Sequence, residues 1–185
     1  MRIIGGKYRS RVLAEFKGEN VRPTSDRARE ALFNMLSLKI FGARVLDLFS
    51  GSGALGIESL SRGAKEVVFN DVSRDSVAIL KKNLTMLKIP VHGEEAKVYT
   101  MDYLTCLGQL GGQFDLIFLD PPYHLEFGEK ALAKIVEKGL LRETGVVMYE
   151  RDRPFEGEIA GLEKYDERKY GKAYLTFFRM SQEEA

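Results

Sequence analysis

Residues 47–56 read DLFSGSGALG, and within them Gly51, Gly53 and Gly56 spell GxGxxG. A β-type run, ARVLDLF (43–49), leads into this loop. A helix-type run, ALGIESLSR (54–62), leaves it and stops at Gly63. Strand, glycine turn and helix in that order open a Rossmann-like unit, in which the glycines let the backbone pass close to a ligand.

The alternation continues downstream. EVVFND (66–71) reads as a second strand and SRDSVAILKKNLTMLKI (73–89) as a helix with Val77, Leu80 and Leu84 on one face. AKVYTMD (96–102) is a third strand, followed by a short helix over 103–110. FDLIFLD (114–120) is an apolar run of the kind expected of a central strand buried on both faces. A helix is expected over 127–138, a fifth strand over GVVMYE (145–150), and a hairpin from 163–170 and 174–180 turning at YGKAY. Repeated βα units imply a parallel sheet with helices on both faces and ligands at its carboxyl edge.

Ahead of this core, RIIGGKYRSRVLAEF reads as a β-hairpin or a pair of short strands. VRPTSDRAREALFNMLSLKIFG then announces a helix. Thr24 and Ser25 offer capping oxygens, Asp26 suits the positive end of the helix dipole, and Ala28, Ala31, Leu32, Met35 and Leu36 recur at helical spacing up to Gly42. The chain is thus expected to be one domain over 1–185, with a basic extension (1–42) on a catalytic core (43–185).

With 185 residues and 44% of them hydrophobic, the chain can bury one sizeable core. Its single cysteine, Cys106, fits a reducing compartment and reads as a packed core thiol, because no histidine is paired with it by motif. The N-terminus lacks the apolar run of a signal peptide, so a soluble, cytoplasmic protein is expected. The formal net charge of +1 hides an asymmetry. Residues 1–29 hold eight Lys/Arg against three acids, a net +5, which leaves −4 for the remainder. A polyanion-facing edge and a merely solvated hairpin both fit that pattern.

The glycine loop alone does not name its ligand. In a dinucleotide site, backbone N–H groups cradle a pyrophosphate. Here Asp47 precedes the loop, and Asp71, Asp102 and Asp120 close three further strands. Carboxylates converging on one edge would repel phosphates but welcome the sulfonium and ammonium of S-adenosylmethionine (SAM). Asp71 can accept from ribose hydroxyls in either case, so Asp47 and Asp102 discriminate and Asp71 does not.

The fourth strand runs into Asp120-Pro121-Pro122-Tyr123. Two prolines fix φ and donate no N–H, so the flanking carbonyls point in set directions. Asp120 and a neighbouring carbonyl can accept both hydrogens of an exocyclic amine, and Tyr123 offers a face for a planar base. That suits methyl transfer to a ring-conjugated amine, whose delocalised lone pair must be turned towards the methyl group by positioning and electrostatics. His124 and His92 read as loop residues, and with Cys106 they do not make a metal site. A DNA adenine-N6 or cytosine-N4 methyltransferase would use DPPY equally well. An NAD-dependent oxidoreductase would lack its usual Tyr-Lys or His partner, and a non-catalytic RNA-binding factor remains a third class.

RIIGGKYRSRVL, VRPTSDRAREALFNML, DLFSGSGALGIESLSRGA, LDPPY and GKAYLTFF together resemble the RsmD-type bacterial 16S ribosomal RNA (guanine-N2)-methyltransferases over almost the whole chain. RPTSDRAREALFNML is the most family-specific piece. The resemblance implies a class I SAM-dependent methyltransferase fold: a Rossmann-like, mostly parallel seven-stranded sheet, its last strand antiparallel, with an N-terminal hairpin and helix. It implies methylation of the 2-amino group of one guanine in small-subunit 16S rRNA. A small enzyme with a modest basic patch would bind naked RNA weakly, so the expected substrate is a protein-bearing assembly intermediate, with no membrane and no metal involved. It also implies roles: Asp47, Phe49, Ser50, Gly51, Gly53, Gly56, Asp71, Val72, Asp102 and Tyr103 about SAM, and Asp120, Pro121, Pro122 and Tyr123 about the flipped guanine. Lys7, Arg9, Arg11, Arg22, Thr24, Arg27 and Lys172 would face RNA. Ser50 and Ser59 stand where alanine is expected in many relatives.

Overall fold

The computed structural model describes residues 1–15, 25–123 and 126–182. The extension contributes α1 (Asp26–Met35) and α2 (Ser37–Ile40). The core follows as β1 (Arg44–Asp47), α3 (Ala54–Ser61), β2 (Glu66–Asn70), α4 (Arg74–Met86), β3 (Ala96–Tyr99), α5 (Tyr103–Gln109), β4 (Phe114–Leu119), α6 (Phe127–Glu137), β5 (Leu141–Arg151), β6 (Leu162–Tyr170) and β7 (Ala173–Met180). The strands form one sheet in the order β3-β2-β1-β4-β5-β7-β6. β1 to β5 are parallel, and β7 runs antiparallel between β5 and β6, as expected of its last strand.

Side-chain alternation divides the core in two. Val45, Phe69, Leu116, Phe118 and Met148 point to the face covered by the N-terminal segment and α1 to α4. Leu46, Val68, Ile117, Leu119 and Tyr149 point to the face covered by α5 and α6. β4 is apolar on both sides because it lies in mid-sheet and packs helices above and below.

Three sequence expectations change in detail. The N-terminal hairpin is a loop closed by a single antiparallel bridge, Arg2 to Val12, rather than two strands. Its backbone is instead tied to α3. The buried Glu58 accepts from the N–H groups of Ile4 and Gly5 (2.9 and 2.8 Å), and Ser61 accepts from Tyr8 and donates to Gly5 O. The long first helix is split at Leu36, so Met35 is exposed while Phe33 and Arg29 turn inward. Arg29 therefore leaves the basic surface: it is fully buried and donates to Asp26 and to Arg2 O. Finally, β5 begins at Leu141, through an exposed polar stretch that carries no apolar signal.

Ser25 caps α1 by accepting from Ala28 N–H. Cys106 is buried among apolar groups, which pushes its thiol up to about 12 and suits a packing role. No described helix is long and apolar enough to cross a membrane.

Candidate active site

The order of the sheet reverses direction at β1. The chain steps outward through β2 and β3, then returns to place β4 on the other side of β1. Open α/β sheets bind ligands at such a switch point, beyond the carboxyl ends of the strands. The glycine loop leaves β1 there, and DPPY leaves β4 beside it.

The three glycines do different things. Gly51 has φ +52 and nothing within 4 Å of where a Cβ would stand, so it borders open space. Gly53 has φ +90 and sits under Leu80 of α4. A Cβ on Gly56 would overlap the Phe69 ring, so this glycine lets α3 pack against β2.

Two of the loop's glycine N–H groups are already committed to acids. Gly51 N–H donates to Asp71 (2.8 Å), and Gly56 N–H donates to Asp47 (2.9 Å). Two donors that a pyrophosphate could use are thus held by carboxylates, which makes this rim acidic. Asp47 is 2% exposed, and burial pushes its carboxyl up to about 7, against the opposing effect of Gly56 N–H; the nearby Asp71 raises it further.

Asp71 also accepts from Ser73 N–H, and Val72 beside it is 73% exposed. Asp102 is exposed and caps α5, accepting from Leu104 and Thr105 N–H. Phe49 and the buried Tyr103 pack together at 5.4 Å between ring centroids, with Phe127 of α6 against both. Two buried polar atoms at this rim have no partner among the described residues: Ser50 Oγ, and Asn70 Oδ1 next to Asp71. Ser50 does more than fill a position where alanine was expected, since its hydroxyl is enclosed and unsatisfied. Burying such atoms without partners is costly, so they suit a polar ligand that completes them.

At the end of β4, Asp120 is half-buried. Burial raises its carboxyl well above the ordinary range, and the neighbouring Glu150 and Asp47 add to the rise. Tyr123 folds back so that its hydroxyl donates to Glu150 (3.0 Å). Glu150, a buried acid on β5, was not singled out in the sequence. The signal that could have found it is an acid at the carboxyl end of an apolar strand, the same rule that picked out Asp71, Asp102 and Asp120.

The basic residues fall on two borders. Lys7, Arg9 and Arg11 are exposed on the loop tied to α3. That segment reaches the glycine loop through Asn83, which bonds Ala14 at both its N–H and C=O and donates to Ser52 O. Lys172 lies in the β6–β7 turn. Because β6 is parallel to β5, this turn is on the catalytic edge, beyond DPPY. Arg27 is exposed on α1. Arg22, Thr24 and His124 lie outside the described residues. No cluster of three or more metal-binding side chains occurs among the described residues.

Sheet order, reversed last strand and a glycine loop facing DPPY across the switch point define a Rossmann-like methyltransferase of class I. A family model described as "Conserved hypothetical protein 95" matches residues 1–179, and the chain belongs to that family. It is 40% identical to "Ribosomal RNA small subunit methyltransferase D" of Haemophilus influenzae over 158 residues, 83% of this chain and 81% of the relative. It is 34% identical over 119 residues to "tRNA (guanine(26)-N(2))-dimethyltransferase" of Pyrobaculum arsenaticum, covering 62% of this chain and 31% of that one. Among solved structures, "Putative methyltransferase yhhF from Escherichia coli" superposes with a TM-score of 0.86 at 32% identity, covering 97% of both chains.

Proposed function

We propose that the protein is a SAM-dependent methyltransferase acting on the exocyclic 2-amino group of a guanine in small-subunit rRNA. The observation that carries the cofactor is the acidic occupation of the glycine loop: Asp47 and Asp71 hold the N–H groups of Gly56 and Gly51, which favours a cationic ligand over a dinucleotide. The unsatisfied Ser50 hydroxyl and Asn70 carbonyl, the open space at Gly51 and the exposed Val72 fit an adenosine-bearing group there. When bound, SAM would supply an electrophilic methyl group on sulfur.

In this reading Asp47 meets the methionine end, Asp71 takes the ribose hydroxyls, and Asp102 with Tyr103 borders the adenine. Asp120 accepts from the target amine, Pro121 and Pro122 fix the backbone, and Tyr123 lies against the flipped base. The amine nitrogen would form its bond to the methyl carbon as that carbon's bond to sulfur breaks, the sulfur leaving as a neutral thioether, and the nitrogen would then release one proton to solvent. Residues 1–42 form the RNA-facing arm of a single catalytic unit, whose compartment is the cytoplasm. With little surface beyond the catalytic core, the enzyme takes its guanine from a protein-bearing assembly intermediate. That last step predicts faster transfer to 30S particles than to protein-free 16S rRNA.

The test is mass mapping of modified nucleosides in 16S rRNA from cells with and without this protein. One N2-methylguanine should disappear without it. Label from SAM should reach 30S particles and not duplex DNA. An unchanged modification map, or transfer to adenine or cytosine, overturns the reading.

The basic loop carries its own prediction. Replacing Arg9 and Arg11 by Ala should weaken RNA binding and reduce the slope of log affinity against log salt by about 1–2, since each lost phosphate contact removes roughly 0.7–0.9 from it. Fluorescence titrations at several salt concentrations read the slope, and an unaltered slope would place the loop in solvent.

A further inference from the structure

β4 and β5 are parallel neighbours whose register pairs Leu119 with Tyr149. The next residue on each chain is an acid, Asp120 and Glu150. Leu119 and Tyr149 both point to the α5/α6 face, so the two acids share the opposite one. Glu150 is 2% exposed and accepts from the Tyr123 hydroxyl. A small cavity bounded by Pro121, Pro122, Tyr123, Glu150 and Arg151 has room for about one water, about 10 Å³. Glu150 and the Tyr123 hydroxyl that donates to it thus line the space beside DPPY.

One carboxylate beside an exocyclic amine does not tell guanine from adenine or cytosine, because all three amines donate. Their neighbours differ. Guanine's 2-amino group sits next to N1–H, a second donor on the same edge. The amines of adenine and cytosine sit next to a ring nitrogen that only accepts. Two adjacent carboxylates would therefore bind guanine's edge with both acceptors satisfied, and would set a carboxylate against a lone pair in the other two bases.

We propose that Glu150 is the residue that selects guanine, accepting from its N1–H while Asp120 accepts from the 2-amino group. A carboxylate has about four acceptor sites, and the Tyr123 hydroxyl takes one of those on Glu150. The inference rests on the guanine-N2 reading above and deepens it. It also separates this enzyme from the DNA amine methyltransferases that DPPY would otherwise permit.

The experiment uses particles reconstituted with 16S rRNA in which the mapped guanine is replaced by 2-aminopurine. That base keeps the 2-amino group but has an accepting N1. The full-length enzyme should prefer guanine in kcat/KM by about 100-fold. In Glu150→Gln, whose carboxamide can donate to the accepting N1, the preference should fall below about tenfold. SAM affinity and the melting temperature serve as the folding check. Where turnover is below detection, equilibrium binding of the two particles reads the ground-state part of the same discrimination. Tyr123→Phe, which loses the hydroxyl but keeps Glu150, should retain the preference. An unchanged ratio in Glu150→Gln overturns the proposal, and so does an equal collapse in Tyr123→Phe, which would make Glu150 a support for Tyr123. Failure of the unaltered enzyme to methylate the guanine particle would instead overturn the underlying reading.

Discussion

Asp120→Ala should lower kcat by about 100- to 1000-fold while leaving the SAM dissociation constant within about threefold, as expected for loss of one preorganised hydrogen bond at the reacting atom. The amine of a base is a poor nucleophile because its lone pair is shared with the ring. Asp120 stands at the end of β4, fixed by two prolines, where accepting one amine hydrogen would hold the lone pair towards the incoming methyl group. Asp120→Asn keeps an acceptor in the same place and should retain much more activity. Neither change should unfold the protein. Burial, Glu150 and Asp47 all disfavour the Asp120 carboxylate, so removing its charge relieves repulsion. The ionised form is the one needed, which gives the pH dependence its sign. kcat/KM should rise with pH as Asp120, whose carboxyl burial and its acidic neighbours hold high, loses its proton. In Asp120→Asn that rise should flatten. Single-turnover transfer from labelled SAM, with separate SAM titrations, reads both quantities. Turnover at the unaltered rate in Asp120→Ala would remove this residue from the mechanism.

What was legible in the sequence follows from how local each signal is. β4 falls within one residue of its expected end because four apolar residues between glycine-rich and proline-rich punctuation admit few alternatives. α4 matches through Ser73, which caps it by accepting from Ser76 N–H, and through a buried face of Val77, Leu80 and Leu84. β5 starts four residues early because Leu141 pairs with Phe114 of β4, while Arg142–Thr144 face solvent at the register shift that follows, so polarity there says nothing about strand content. The buried polar residues were the least legible. Glu58, Asn83 and Glu150 have roles set by partners 27 to 69 residues away in sequence. Arg29 looked like one more cation in a basic segment, yet its guanidinium donates to the Arg2 carbonyl across the N-terminal loop. Acids closing strands stood out because the fold class already says where ligands lie. The N-terminal residues that frame this site needed three dimensions.

Asp47→Asn should stabilise the free protein at pH 8 and weaken SAM binding by about 100-fold. The two effects have one origin. The Asp47 carboxyl titrates at about 7 in the folded protein, against roughly 3.9 in an unfolded chain. An acid whose pKa is raised by folding costs nothing below the unfolded value, where both states carry the proton. From about pH 4 upward the unfolded chain ionises first, and stability falls as pH rises until the folded carboxyl ionises near 7. Three pH units at 1.36 kcal/mol each set an upper bound of about 4 kcal/mol. Asparagine avoids that loss and keeps an oxygen for Gly56 N–H, though its amide nitrogen needs a partner and gives back about 1–3 kcal/mol. The net gain should appear as a rise of about 3–8 °C in melting temperature at pH 8, shrinking as the pH falls and reversing sign towards pH 4, where only the cost of the amide remains. SAM carries the positive charge that this buried carboxylate lacks. In the unaltered protein its affinity should therefore climb with pH up to about 7, by as much as tenfold per unit, with proton release on binding. The Asn variant should show neither the climb nor the release. Calorimetric titration in buffers of different ionisation enthalpy, alongside melting curves across the pH range, measures both halves. A variant less stable than the parent at pH 8 would contradict the first, and an unchanged pH slope would contradict the second.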